Sequence, residues 1–147
     1  MNRNAVPSCS PRVDAQRPLL VVSPHLDDVV LSCFALVARP EPMTVLHACT
    51  AVPDPAVSTV WDQRSGFADS DRAHLARVGE ERAAFAGTPH QFRDVGVLDW
   101  QYINGDRPAS DSSRIADEVG AWVDEVATPC TVAIPMGAGC DEGALVP

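Results

Sequence analysis

The chain has 147 residues and a net charge of −9. That is enough length for one domain with its own core, and the wrong sign for a nucleic-acid backbone or an anionic membrane surface as main partner. All eleven basic residues are arginine, which excludes a lysine Schiff base and the lysine of a phosphate-binding P-loop. The five cysteines, Cys9, Cys33, Cys49, Cys130 and Cys140, are odd in number and scattered. Neither a disulfide framework nor paired CxxC ligands are expected, and a reduced cytoplasmic protein is the default. No stretch approaches the roughly 20 apolar residues of a membrane-spanning helix.

The opening MNRNAVPSCSPRVDAQRP lacks the apolar centre of a secretory signal. Residues 1–17 read as a flexible tail, and 18–147 as a single domain. Leu19 to Ser23 is a short buried strand. Asp27 or Asp28 then caps a helix over VVLSCFALVA that stops near Arg39-Pro40. Met43 to Thr50 is a second strand, followed by a long loop, AVPDPAVSTVWDQRSGFADS. Ser70 or Asp71 starts a helix through RAHLARVGEERAAFA that Gly87 closes, and Gln91 to Val97 is a third strand. DWQYINGDRPAS is a loop. From Asp111 or Ser112 a helix runs with Ile115, Val119, Trp122, Val123 and Val126 on one stripe. Cys130 to Pro135 is the fourth strand.

This alternation of short apolar strands and amphipathic helices predicts an α/β fold, Rossmann-like, with a mostly parallel sheet covered on both faces. Ligands in such folds bind beyond the carboxyl ends of the strands, where strand order reverses. SPHLDD, Ser23 to Asp28, falls at the carboxyl end of the first strand. One acid there is explained by a helix cap. Two adjacent acids and a histidine are also explained by a cation that relieves the repulsion of the carboxylates. His25 and Asp28, three apart across a turn, are then ligands, and Asp27 is left to take a proton from water. The residues alone leave both readings open. His47, inside an apolar strand, reads as a core histidine, His74 and His90 as surface residues, and Cys33 and Cys49 as small core residues.

SPHLDDVVLSC resembles the first motif of the LmbE-like, or PIG-L, family of zinc-dependent N-acetylglucosaminyl deacetylases, with Leu26 in place of the usual proline. The resemblance continues in order through WDQRSGF (Trp61 to Phe67), RVGEERAAFA (Arg77 to Ala86), VGVLDWQY (Val95 to Tyr102) and PMGAG (Pro135 to Gly139). It implies a zinc or other divalent metal held by His25 and Asp28, with Asp27 as general base. Arg77 and Asp99 would be contacts to an N-acetylglucosamine conjugate. Without the resemblance, Arg77 reads as a helix arginine paired with Glu80 or Glu81, and Asp99 as a turn residue.

The pattern breaks after the PMGAG turn. The family completes its zinc site with His-x-Asp-His, whose last histidine is the third ligand. Here the chain reads GAGCDEGALVP, and no histidine follows His90. Catalytic zinc usually has three protein ligands. Asp141, Glu142 or Cys140 could supply the third by residue type, and the simplest account is a truncated or frameshifted copy. The sequence therefore points to metal-dependent removal of an N-acyl group from an amino-sugar conjugate, inactive or slow in a chain lacking that histidine. A non-catalytic remnant or binding module with the same fold is the alternative. A nucleotide-binding Rossmann protein is disfavoured, because no GxGxxG follows the first strand.

Overall fold

A computed structural model of the protein describes residues 16–135. The expected tail over 1–17 lies outside the described residues but for 16 and 17, and so does everything after Pro135. The described chain runs β1 (Leu19–Ser23), α1 (Asp28–Ser32), α2 (Phe34–Val37), β2 (Thr44–His47), α3 (Val60–Arg64), α4 (Ser70–Ala84), β3 (Gln91–Asp94), a 3-10 turn (Trp100–Tyr102), α5 (Ala109–Val126) and β4 (Thr131–Ala133). The strands form one sheet in the order β3-β2-β1-β4, with every pairing parallel. The expected α/β fold is present.

β1 is apolar throughout because both of its faces are covered. Leu19 and Val21 join Val29, Val37, Met43, Val45 and Phe85 in one core, beneath α1, α2 and the end of α4. Leu20 joins Leu46, Ala48, Val95, Val97 and Trp122 in the other, and the expected α5 stripe of Ile115, Val119, Val123 and Val126 packs there. Leu20 and Leu46 are fully buried, which stabilises by roughly 1.5–3 kcal/mol for each such side chain. Trp122 donates its indole N–H to Thr44 Oγ1 at 3.1 Å, so a buried polar atom on each element is satisfied.

Several expectations are corrected. The helix expected over VVLSCFALVA is broken in two at Cys33, which has φ −130° and ψ 30°. Ser32 and Cys33 are poor helix formers, and the break lets Val29 and Val37 both reach the core. The third strand ends at Asp94 rather than Val97, because Gly96 takes φ +74°, a conformation that interrupts the ladder. Val95 and Val97 still donate to the carbonyls of His47 and Ala48. Part of the long loop forms α3, started by a reciprocal capping box between Thr59 and Asp62. α4 does start at Ser70, with Asp69 as its cap, accepting from Arg72 N at 2.9 Å. α5 begins at Ala109, ahead of the expected Asp111. His90 is buried, with Nε2 2.9 Å from the Val37 carbonyl.

Strands β1, β2 and β3 add successively in one direction, and β4 then joins the free side of β1. The reversal of strand order thus lies at β1, and the chain leaves its carboxyl end directly into SPHLDD.

Candidate functional site

The turn after β1 is built by two local bonds. Ser23, fully buried, donates its hydroxyl to the His25 carbonyl at 2.6 Å. The Asp28 carboxylate folds back to accept the His25 backbone N–H at 2.9 Å, with the same oxygen 3.1 Å from His25 Nδ1. Leu26 is buried, so the position where the family usually has proline serves here as an apolar anchor. Asp27 sits at the N-cap of α1 but makes no side-chain capping bond. Its carboxylate lies 3.5 Å from Arg77 Nη1 on α4. Helix capping therefore does not account for Asp27, and Arg77 is not occupied by the local partners Glu80 or Glu81 that helical spacing suggests.

Asp99, just before the 3-10 turn, lies 3.5 Å from His25 Nε2. That is long for a hydrogen bond, so the contact is best described as an ion pair. It favours the imidazolium: Asp99 first, and the Cys49 thiol second, push His25 up to about 10. The same contact, with help from Gln101, holds Asp99 down at about 2. His25 thus faces an acid on each ring nitrogen.

All five residues picked from the sequence, His25, Asp27, Asp28, Arg77 and Asp99, line one open cavity of about 430 Å³. Trp61, Trp100 and Gln101 complete it. WDQRSGF and DWQY held the tryptophans in plain view, but without an acid or base they gave no chemical signal in the sequence. A polar network that the sequence did not suggest lies behind them. Asp62, only 2 % exposed, accepts from Thr59 N, from Thr59 Oγ1 and, at 2.8 Å, from the Tyr102 hydroxyl. Burial alone would raise the Asp62 pKa, but these hydrogen bonds outweigh it and hold the carboxyl below its ordinary range. Burial and the Asp62 carboxylate push the Tyr102 phenol up. Thr59 Oγ1 also lies 2.9 Å from Gln101 Oε1, so α3 and the 3-10 turn are tied together.

His47, the expected core histidine, is buried, with Nε2 2.5 Å from Glu81 Oε1 and Nδ1 3.4 Å from Asp94. The close approach to Glu81 is out of line for a hydrogen bond, so proximity rather than directed bonding describes it. His74 is half-buried, and Cys33 and Cys49 are half-buried at the edges of the two cores.

No family model matches the chain, and no curated protein matches it significantly. Two solved structures do. One is a deacetylase of teicoplanin biosynthesis in complex with teicoplanin, with TM-score 0.63 and 27 % identity over 82 % of this chain and 58 % of the other. The second is the A40926 pseudoaglycone deacetylase Dbv21, with TM-score 0.62 and 28 % identity over 81 % of this chain and 50 % of the other. The chain is LmbE-like. It spans little more than half the length of these deacetylases.

LmbE-like deacetylases are typically metal-dependent. Among the described residues, no group of three or more His, Cys, Asp or Glu side chains is arranged to hold a metal ion. The pair expected to hold one does fit by donor type and spacing. A nitrogen and an oxygen bound to one tetrahedral zinc at about 2.0–2.1 Å would stand roughly 3.3 Å apart, and His25 Nδ1 and Asp28 Oδ2 are 3.1 Å apart. The positions considered for a third LmbE-like ligand, Cys140, Asp141 and Glu142, lie outside the described residues. No helix among the described residues is long and apolar enough to cross a membrane.

Proposed function

We infer that the site is an amide hydrolase centre that removes an N-acyl group, of which N-acetyl is the simplest, from an amino-sugar conjugate. The observation that supports this reading is the convergence of His25, Asp27, Asp28, Arg77 and Asp99 on one open cavity at the reversal point of the sheet. His25 Nδ1 and Asp28 would hold a divalent ion, zinc by family resemblance. Such an ion, when bound, supplies Lewis acidity toward an acyl carbonyl and lowers the pKa of water.

The chain's own groups do the rest. Asp27 carries a half-exposed carboxylate that can accept a proton from the attacking water. Arg77, 3.5 Å from it, positions that carboxylate and offers further N–H donors to the conjugate. Asp99 orients the His25 ring through Nε2, in the manner of the carboxylates that fix metal-binding histidines, and its remaining oxygen can accept from a sugar hydroxyl.

The test is release of free amine from a panel of N-acetylglucosaminides with added zinc, together with zinc stoichiometry. The expected result is slow turnover that is lost in Asp27→Asn, with zinc content lost in His25→Ala and Asp28→Ala but kept in Asp27→Asn. Equal zinc content in all four proteins would overturn the site. A zinc-loaded chain that releases no amine from any member of the panel favours the second reading, a binding module. That reading draws on the donor set: among the described residues no group of three or more His, Cys, Asp or Glu side chains is arranged to hold a metal ion.

A further inference from the structure

The cavity has two walls that hydrolysis does not require. Tryptophan is among the most buried residues on average, and Trp122 follows that rule at 5 % exposure. Trp61 and Trp100 do not: they are 57 % and 55 % exposed, and both border the cavity that holds His25, Asp27 and Asp28. Both are held from behind. Trp61 lies in α3, whose start is fixed by the Thr59–Asp62 capping box. Trp100 opens the 3-10 turn that Tyr102 pins to Asp62. Arg107 lies over the Trp100 ring at 6.0 Å, its guanidinium anchored on the Leu98 carbonyl and on Asp111. A buried carboxylate is costly to desolvate unless it is fully hydrogen-bonded. Here that cost secures two segments whose common feature is an exposed indole at the same rim.

We propose that Trp61 and Trp100 form a preorganised aromatic clamp for the pyranose ring of the substrate, which makes them the residues that select a sugar amide over a simple amide. The chemistry matches on both sides. A pyranose has an apolar C–H face and a polar hydroxyl edge. An indole face carries partial negative charge that attracts such C–H groups, and the carboxylates and Gln101 on the remaining wall can meet the hydroxyls. A cavity of about 430 Å³ admits a monosaccharide unit, and sites for small ligands commonly pair apolar walls with a few placed polar groups. Holding the indoles rigid before the ligand arrives reduces the ordering cost of binding. The clamp rests on the amino-sugar reading above, and its test separates the two.

Tryptophan emission reports the clamp directly, since the chain has three tryptophans and Trp122, buried in the core away from the cavity lining, serves as an internal reference. Methyl N-acetylglucosaminide is titrated into the full chain in the Asp27→Asn background, with acrylamide as quencher. The expected result is a blue shift and protection from quenching. N-Acetylethanolamine, an amide without a ring, should give neither. Trp61→Ala and Trp100→Ala should each weaken sugar binding by about tenfold or more, while Trp61→Phe and Trp100→Phe keep most of it. Unchanged Trp122 emission identifies variants that still fold. The clamp is overturned if the sugar protects neither indole, if N-acetylethanolamine or p-cresol protects as well as the sugar, or if both alanine variants bind like the parent. Sugar protection without turnover would keep the clamp and remove the hydrolase reading. Turnover with KM unchanged in both alanine variants would do the reverse.

Discussion

Two histidines at the ends of neighbouring strands have nearly the same company and opposite settings. Ser23, which begins the His25 turn, is paired with His47 in the β1–β2 register. His25 has Asp28 and Asp99 on its two nitrogens, and His47 has Asp94 and Glu81. Yet the His25 side chain is 43 % exposed over an open cavity, while that of His47 is 1 % exposed, stacked on Phe92 with ring centroids 5.8 Å apart. A histidine between two acids is thus not by itself a site. Where the ring is sealed, it is packed as part of the interior between α4 and β2; where it is open, the same groups are free to meet a ligand.

Truncating the sealed partner should be the harshest way to break that contrast. Glu81→Ala removes a largely buried side chain packed against His47 and leaves a void there, and should cost on the order of 2 kcal/mol in chemical denaturation. A loss as small as that of an exposed pair would erase the distinction between the two histidines. Tyr102→Phe should have an intermediate effect, about 1.5 kcal/mol, because it deletes one charge-assisted bond to buried Asp62. It also sharpens the comparison through pH. The folded-state pKa of Asp62 is lowered, so its bonds add stability above the unfolded carboxyl value of about 3.9 and lose it as pH falls through the lower folded value. Denaturation midpoints followed from neutral pH into that acid range should fall less steeply in Tyr102→Phe than in the parent. An identical slope would mean that Tyr102 does not depress Asp62. Asp99→Ala should have the smallest effect on stability, below about 1 kcal/mol, because its partner His25 is open to solvent. A cost equal to that of Glu81→Ala would show that the open pair is structural after all.

What the sequence disclosed followed the range of the forces involved. β1 and the placement of SPHLDD at its end were legible, because an apolar run that stops abruptly at clustered acids marks a buried strand reaching solvent. The α5 stripe was legible from its period. Arg77 was harder, since helical spacing offers Glu80 and Glu81 as neighbours, whereas its contact is to Asp27 on another element. His90 looked like a surface residue because its partner, the Val37 carbonyl, comes from the end of α2, distant in sequence. The break at Cys33 had no local signal strong enough to overrule a continuous apolar pattern. α3 did carry one, Thr59 three residues before Asp62, but inside a proline-containing loop it was outweighed.

The two-sided burial of β1 has a consequence for how the sheet keeps its alignment. Leu19, Leu20, Val21 and Val22 are apolar on both faces, so a slip by one residue would exchange the two faces with little loss of hydrophobic contact. Greasy side chains cannot index such a strand. A hydroxyl can: Thr44, the register partner of Leu20, is tied to Trp122 on α5. It acts as a notch on a ruler, which predicts wide freedom for aliphatic exchange within Leu19 to Val22 and little freedom at Thr44.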